Sequence, residues 1–208
     1  FLCHRDGCRR GWRDDYLMFL SADSAPLLGS NIWDERQSVR FTGKQSSHDA
    51  DVFRDQLAAK AKGVVAIGCN NSMGVLAGYI GSLRSGHASL LLEDSTSPAV
   101  LTRLHQIYKP DYFIGSALPA DWTEYYNQTH AAVNGISIWR NSEQSRQDDI
   151  HPDTAILLST SGSTGSPKLV RLSYNNIQSN AESIAEYLGL SDSENAATSL
   201  PFSYSYGL

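Results

Sequence analysis

The sequence predicts a three-layer α/β fold built on a doubly wound, mostly parallel β-sheet. Three apolar runs support this prediction, at residues 64–69, 88–92 and 112–114, and none of them alternates with polar residues. Such runs are typical of strands that are buried on both faces of a parallel sheet. Helical patterns fill the intervals between the runs, and strands that alternate with helices form βαβ units with a parallel sheet.

Residues 1–50 form a lead-in with weaker patterning. Alternation of apolar and polar residues over 38–42 predicts a strand. Asp49 or Asp51 is expected to cap a helix that ends at Gly63. The apolar positions of that helix recur at helical spacing and are Phe53, Leu57 and Ala61.

Two helices follow the first two buried strands. Residues 70–72 (Asn-Asn-Ser) offer N-caps for a helix over 73–85, and Gly86 follows its end. Ser97 and Pro98 are a cap and a first-turn proline for the next helix, which Lys109-Pro110 ends. The apolar positions of this second helix are Leu101, Leu104 and Tyr108. Residues 64–150 are therefore interpreted as a βαβ region.

A polar stretch at residues 144–153 is predicted to be a surface loop or linker. Strands are predicted at 155–158 and at 168–172. Asn175 or Asn176 is expected to cap a last helix that ends at Gly189. The apolar positions of this helix are Ile177, Ala181, Ile184, Ala185 and Leu188.

Composition and charge exclude several classes of function. The chain has 208 residues, of which 41% are hydrophobic and 19% charged, as in an ordinary globular domain. Its formal net charge of -5 argues against binding to nucleic acid or to an anionic membrane, because both require a basic surface. No apolar run approaches the roughly 18 residues that span a bilayer. We expect no membrane span and no nucleic-acid partner.

The cysteines give a prediction about location. The chain has three, Cys3, Cys8 and Cys69, and an odd, small number does not build a disulfide framework. This favours a reducing compartment, so we expect a cytoplasmic protein. Cys3, His4 and Cys8 would supply half of a metal site, but no second pair at zinc-finger spacing completes it, and no metal ligands are predicted.

The loop at residues 159–168, with the sequence STSGSTGSPK, is the stretch that indicates a function. Gly162 and Gly165 allow the backbone to approach a ligand closely, and successive N–H groups of such a loop form an anion-binding concavity. Several hydroxyl groups add donors, and Lys168 adds a positive charge. The loop is not a Walker A motif, because Pro167 precedes the lysine and a strand pattern follows it. A ligand-free surface loop is the alternative, and composition alone would favour it. The two apolar strand patterns that flank the loop, its terminal Pro-Lys pair and a second motif downstream favour a polyphosphate site instead.

Three segments resemble the AMP-binding, adenylate-forming superfamily, which includes acyl-CoA synthetases, luciferases and peptide-synthetase adenylation domains. Residues 158–170 (LSTSGSTGSPKLV) are similar to the Ser/Thr/Gly-rich signature of the family, and residues 200–208 (LPFSYSYGL) to its next motif. Residues 81–88 (GSLRSGHA) resemble a further family segment. The resemblance extends from about Val64 to the end of the sequence.

Three positions depart from the family pattern. Ser159 stands where the family usually has an aromatic residue, Leu169 where it usually has glycine, and Tyr204 where it often has histidine. The third difference points to a branch with another carboxylate pocket. The segments around Tyr204 and Leu169 are most similar to stand-alone acyl-CoA-ligase-like proteins.

The resemblance implies an ATP-dependent enzyme that acts with Mg²⁺. It would convert a carboxylic acid to an acyl-adenylate and transfer the acyl group to the thiol of CoA or of a carrier protein's phosphopantetheine. Lys168 would neutralise the departing pyrophosphate as the catalytic residue, and Tyr204 and Tyr206 would contact the carboxylate substrate. Core packing is the alternative role for both tyrosines. The resemblance also assigns phosphate binding to Thr160, Ser161, Gly162, Ser163, Thr164, Gly165 and Lys168.

The resemblance also predicts the organisation of the chain. Residues 1–208 are expected to be the truncated N-terminal part of an AMP-binding domain, with residues 154–208 as its phosphate-loop segment. The family's adenine-stacking, ribose-binding and C-terminal catalytic residues would lie later, so the fragment alone is expected to be inactive. Two alternatives stay open, a non-catalytic nucleotide- or phosphate-binding α/β module and a fragment whose loop has lost its function.

Overall fold

A computed structural model describes residues 31–34, 39–57, 61–129, 133–143, 150–159, 169–189 and 200–204. The strands are β1 (Asn31–Asp34), β2 (Val39–Thr42), β3 (Val64–Cys69), β4 (Ala88–Glu93), β5 (Tyr112–Gly115), β6 (Tyr126–Gln128), β7 (Ser137–Asn141), β8 (Thr154–Ser159) and β9 (Leu169–Ser173). The helices are α1 (Gly43–Gln56), α2 (Met73–Arg84), α3 (Pro98–Tyr108) and α4 (Tyr174–Leu188), with a 3₁₀ turn at Ala120–Trp122.

Within the described residues, the main sheet has seven strands in the order β6-β7-β5-β3-β4-β8-β9. Its central strands β5, β3, β4 and β8 are parallel, and β6, β7 and β9 pair antiparallel at the two edges. The predicted parallel pairing is confirmed, since Val64 lies opposite Ala88 and Ile67 opposite Ile114. A separate two-stranded antiparallel sheet contains β1 and β2.

Helices cover both faces of the main sheet, which confirms the three-layer arrangement. Phe53 of α1 and Val75 of α2 pack with Val65 and Ile67 of β3 in one hydrophobic cluster. Alternate residues of the same strands face the other layer, where Leu104 of α3 and Trp122 pack against them. The central strands are mostly apolar because their successive side chains enter one or the other of these two cores.

The prediction for α1 was wrong at both ends. The helix begins at Gly43 rather than at Asp49 or Asp51, because Thr42 and Gln45 form a capping box. It ends at Gln56 with Leu57 as C-cap, well before Gly63. Thr42 is both the last residue of β2 and the N-cap of α1. The alternating strand pattern therefore gave no sign that a helix begins there.

The last helix also starts earlier than predicted. Ser173 is the N-cap of α4, and Asn176 is the third helical residue of a capping box rather than the cap itself. Gly189 ends the helix in the left-handed conformation, with φ of 61°, as the sequence indicated. Strand β9 runs over Leu169–Ser173, and Lys168 lies outside the described residues.

Candidate functional site

The carboxyl ends of the parallel strands form one edge of the sheet. Cys69, Glu93, Gly115 and Ser159 are the last residues of β3, β4, β5 and β8. In open α/β sheets, ligands bind in the crevice outside the carboxyl ends, where the chain connections diverge to opposite sides. The connection after β3 leads to β4 on one side of β3, and the connection after β5 leads to β6 and then β7 on the other side, so this edge is the candidate site.

The 159–168 loop leaves the sheet at this edge. Ser159 is exposed at the end of β8 and pairs with Leu169, the first residue of the adjacent antiparallel strand β9. The prediction that the loop joins two strands is therefore confirmed, and no helix follows it as in a Walker A motif. Thr160 to Lys168 lie outside the described residues, so their phosphate-binding roles stay a prediction.

The second motif reaches the same edge through residues 200–204. The side-chain amide Nδ2 of Asn71, just after β3, donates a 2.8 Å hydrogen bond to the carbonyl oxygen of Leu200. Phe202 packs against the core, and Ser203 is buried. Tyr204 is 49% exposed in this chain, and its substrate-contacting and core-packing roles both stay predictions. Tyr206 lies outside the described residues.

The N-terminus of α2, at the end of β3, is occupied by a side chain of the protein itself. The carboxylate Oδ2 of Asp34 accepts a 2.9 Å hydrogen bond from the backbone N–H of Met73, and Asp34 is buried. The hydroxyl of Ser72 accepts from the N–H of Val75. A carboxylate at this position neutralises the positive end of the helix dipole and would repel a phosphate. Sequence patterns gave no signal for this long-range contact.

A cleft of about 190 Å³ opens beside the loop edge, between the ends of β3, β4 and β5. Leu92, Leu101 and Phe113 line its apolar part, and the exposed carboxylates Glu93 and Asp94 lie at its rim. Two carboxylates make this cleft unsuited to a polyphosphate, because like charges repel at short range. The cleft was not predicted from the sequence.

The ionisable groups near the end of β3 are not activated for nucleophilic chemistry. Burial raises the pKa of the Cys69 thiol to about 12, so the group is protonated at neutral pH. Burial also raises the pKa of Tyr79, on α2. Cys69 is buried and free, whereas Cys3, His4 and Cys8 lie outside the described residues. Cys69 therefore offers no thiolate nucleophile at this edge at neutral pH.

The described part of the chain contains no group of three or more His, Cys, Asp and Glu side chains that could hold a metal ion. None of the helices in the described ranges is long and apolar enough to cross a membrane.

The fold is similar to that of several solved enzymes. Apo MatB from Rhodopseudomonas palustris superposes with a TM-score of 0.67 at 16% sequence identity, over 93% of this chain and 41% of that chain. A second similar structure is MenE, the o-succinylbenzoate CoA synthetase from Bacillus subtilis, solved with the acyl-adenylate OSB-AMP. It superposes with a TM-score of 0.67 at 20% sequence identity, over 91% of this chain and 50% of that chain. IdnL1 superposes with a TM-score of 0.69 at 14% sequence identity, over 92% of this chain and 40% of that chain. The chain thus spans less than two thirds of the length of these neighbours.

The sequence comparisons identify a family but no individual relative. No curated protein matches the sequence significantly. Residues 32–208 match the family model described as AMP-binding enzyme, which covers most of the chain and both motif segments. The chain therefore belongs to the AMP-binding enzyme family.

Proposed function

We propose that this chain supplies the phosphate-binding part of an AMP-forming acid–thiol ligase, which uses ATP to activate a carboxylic acid. The observation that supports this most directly is the convergence of two motif segments on one sheet edge. The ends of the 159–168 loop lie where β8 and β9 meet, and Asn71 links residues 200–204 to the end of β3. One edge can thereby bring a triphosphate and a carboxylate together.

The proposed reaction has two steps, formation of an acyl-adenylate and transfer of the acyl group to a thiol. A carboxylate oxygen attacks the α-phosphorus of ATP, the bond between the α-phosphorus and the bridging oxygen breaks, and pyrophosphate leaves. A thiolate sulfur then attacks the acyl carbonyl carbon, and AMP leaves with the electrons of the acyl–oxygen bond. The first step brings two anions together, so catalysis consists mainly of positioning and charge stabilisation.

The loop residues have distinct roles in this proposal. Backbone N–H groups and hydroxyls from Thr160 to Gly165 bind the β- and γ-phosphates, and Lys168 neutralises the charge that develops on pyrophosphate. Tyr204 and Tyr206 contact the carboxylic acid. The exposure of Tyr204 is compatible with this role, since a substrate-contacting side chain must be accessible.

Mg²⁺ would assist by neutralising phosphate charge. This ion is usually held by one or two carboxylates together with substrate phosphates, so it fits a site in which the nucleotide supplies most of the ligands. Among the described residues, no group of three or more His, Cys, Asp and Glu side chains offers it a set of protein ligands.

The solved neighbours agree with this class of reaction. MatB was solved with ATP bound, and MenE with an acyl-adenylate and with the product analogue OSB-NCoA. These ligands support ATP and a carboxylic acid as substrates and CoA as the first acceptor to test. A carrier protein's phosphopantetheine is the second acceptor.

ATP–pyrophosphate exchange tests the proposal, measured on the product of the complete reading frame that contains these residues. We expect label to enter ATP only when a suitable carboxylic acid is present, and we expect CoA to deplete the adenylate. A non-catalytic module would bind ATP in calorimetry and show no exchange with any member of a broad panel of acids. That result would refute the proposal in favour of the module.

A further inference from the structure

Asn71 lies in a turn that is fixed from several sides. The N–H of Ser72 donates a 2.9 Å hydrogen bond to the carbonyl of Asn70, and the N–H of Met73 donates to the buried carboxylate of Asp34. The hydroxyl of Ser72 caps α2 through Val75. The backbone of Asn71 is therefore held between β3 and α2, so its side chain extends from a rigid base.

The amide of Asn71 has a single defined orientation. Its Nδ2 donates to the carbonyl of Leu200, which is 129 positions away in sequence. Its Oδ1 is buried and has no hydrogen-bond partner among the described residues. A flipped amide would place Oδ1 against the Leu200 carbonyl, with two acceptors facing each other. The contact thus requires an N–H donor at this position.

The position of Leu200 determines where Tyr204 lies. The N–H of Tyr204 donates a 3.0 Å hydrogen bond to the carbonyl of Pro201, which closes a turn immediately after Leu200. Phe202 packs against the core, and Ser203 is buried within this turn. The tether at Leu200 therefore acts on the same short hydrogen-bonded turn that contains Tyr204.

We propose that Asn71 is a positioning residue, which holds residues 200–204 against the end of β3 and so orients Tyr204 toward the carboxylic acid substrate. This inference rests on the proposed function and adds a residue that neither sequence motif contains. Asn71 acts through the Leu200 carbonyl and does not touch substrate itself.

The stability of the fold should depend little on this side chain. Replacement by alanine removes one hydrogen bond but also removes a buried oxygen that lacks a partner, and these two effects oppose each other. A positioning role and a purely structural role therefore predict different results.

The test compares Asn71→Ala with Asn71→Gln, which keeps an amide donor, and with Asn127→Ala, an exposed asparagine on edge strand β6. In ATP–pyrophosphate exchange, Asn71→Ala should raise KM for the carboxylic acid by roughly three- to tenfold, the range for one lost hydrogen bond, with KM for ATP unchanged. In Asn71→Gln, KM for the carboxylic acid should rise less than in Asn71→Ala. Asn127→Ala should behave as the unmodified protein.

Hydrogen–deuterium exchange followed by mass spectrometry gives a second readout that does not need activity. Peptides that contain residues 200–204 should exchange faster in Asn71→Ala and more slowly again in Asn71→Gln, with exchange in β3 and β4 unchanged.

Three outcomes would overturn the proposal. In Asn71→Ala, deuterium exchange in residues 200–204 could stay unchanged. It could also become faster with no change in KM for the carboxylic acid. Finally, KM for the acid and KM for ATP could both rise while deuterium exchange becomes faster throughout the sheet. If the unmodified protein shows no pyrophosphate exchange, the proposed function fails and the catalytic part of this inference fails with it. Deuterium exchange would still decide whether Asn71 holds the segment.

Discussion

Lowering the pH should destabilise the α/β domain through His87, whose side chain is buried at the start of β4. Its Nδ1 accepts a 2.7 Å hydrogen bond from the N–H of Gly63, and its Nε2 lies 2.8 Å from the carbonyl of Leu57. Because Nδ1 accepts, the proton of the neutral ring is on Nε2 and is donated to Leu57. A second proton on Nδ1 would face the N–H of Gly63 and break this bond.

The sign of the effect follows from the pKa of His87. Burial lowers this pKa from its ordinary value of 6.5, and the charge of Lys62 lowers it further, while the Leu57 carbonyl and Asp111 act in the opposite direction. In the unfolded chain the ring binds a proton below about pH 6.5, whereas the folded ring stays neutral to lower pH. The contribution of His87 to the free energy of unfolding is therefore fully present well above that pH and falls below it.

The magnitude is limited by the number of protons. One proton taken up only by the unfolded state gives a slope of at most about 1.4 kcal/mol per pH unit. His105 adds to this slope, because burial also lowers its pKa. The difference between the unmodified protein and a His87 variant isolates the contribution of His87.

Urea unfolding followed by tryptophan fluorescence, between about pH 7.5 and about pH 5, measures this slope. His87→Gln keeps a donor and an acceptor but does not titrate, so its stability should fall less steeply over this interval. His48→Gln replaces an exposed histidine on α1 and should leave the slope unchanged. Equal slopes for the unmodified protein and His87→Gln would refute the reasoning.

Two further predictions concern packing and catalysis. Gly81→Ala should lower the free energy of unfolding by about 2 kcal/mol. Overpacking costs about 3 kcal/mol, and the higher helix propensity of alanine offsets about 1 kcal/mol of that cost. An added Cβ there would lie 2.6 Å from the carbonyl oxygen of Ala50. Gly78→Ala should cost less in the same urea assay, since the added Cβ would meet the side chains of Ile114 and Phe53 rather than backbone atoms, and equal costs would contradict this. Lys168→Ala should slow pyrophosphate exchange by about 10²–10³ while the affinity for the acid is retained, and the control Lys44→Ala should be neutral. A near-normal rate in Lys168→Ala would leave the backbone amides as the phosphate site.

The central sheet was predictable because its strands are buried on both faces. Continuous apolar runs such as Val64–Cys69 have no other common explanation when helices separate them. The edge strands β6 and β7 were not predicted, because β6 is short and mostly exposed and polar. One local signal was available, since Asn134-Gly135 forms a turn with positive φ at both residues, between paired Val133 and Ile136.

The candidate site also has a part that the sequence predicted and a part that it did not. The place of the 159–168 loop between strands followed from its own residues and their apolar neighbours, which are local information. Asp34 and Asn71 act on partners 39 and 129 positions away. Periodicity and spacing contain no information about such contacts, because only the folded topology brings the partners together.

The occupied N-terminus of α2 bears on where phosphate can bind. In many doubly wound folds the helix after the first strand of the nucleotide site binds phosphate, through free N–H groups and a glycine-rich turn. Here residues 70–72 contain no glycine, the N–H of Met73 is already bound, and the carboxylate of Asp34 cancels the local positive potential. A phosphate-binding function on this edge must then use another element, and the loop between β8 and β9 offers N–H groups without a carboxylate in its sequence. Because strand β9 rather than a helix follows that loop, we propose that the positive charge of Lys168 takes the place of a helix dipole there.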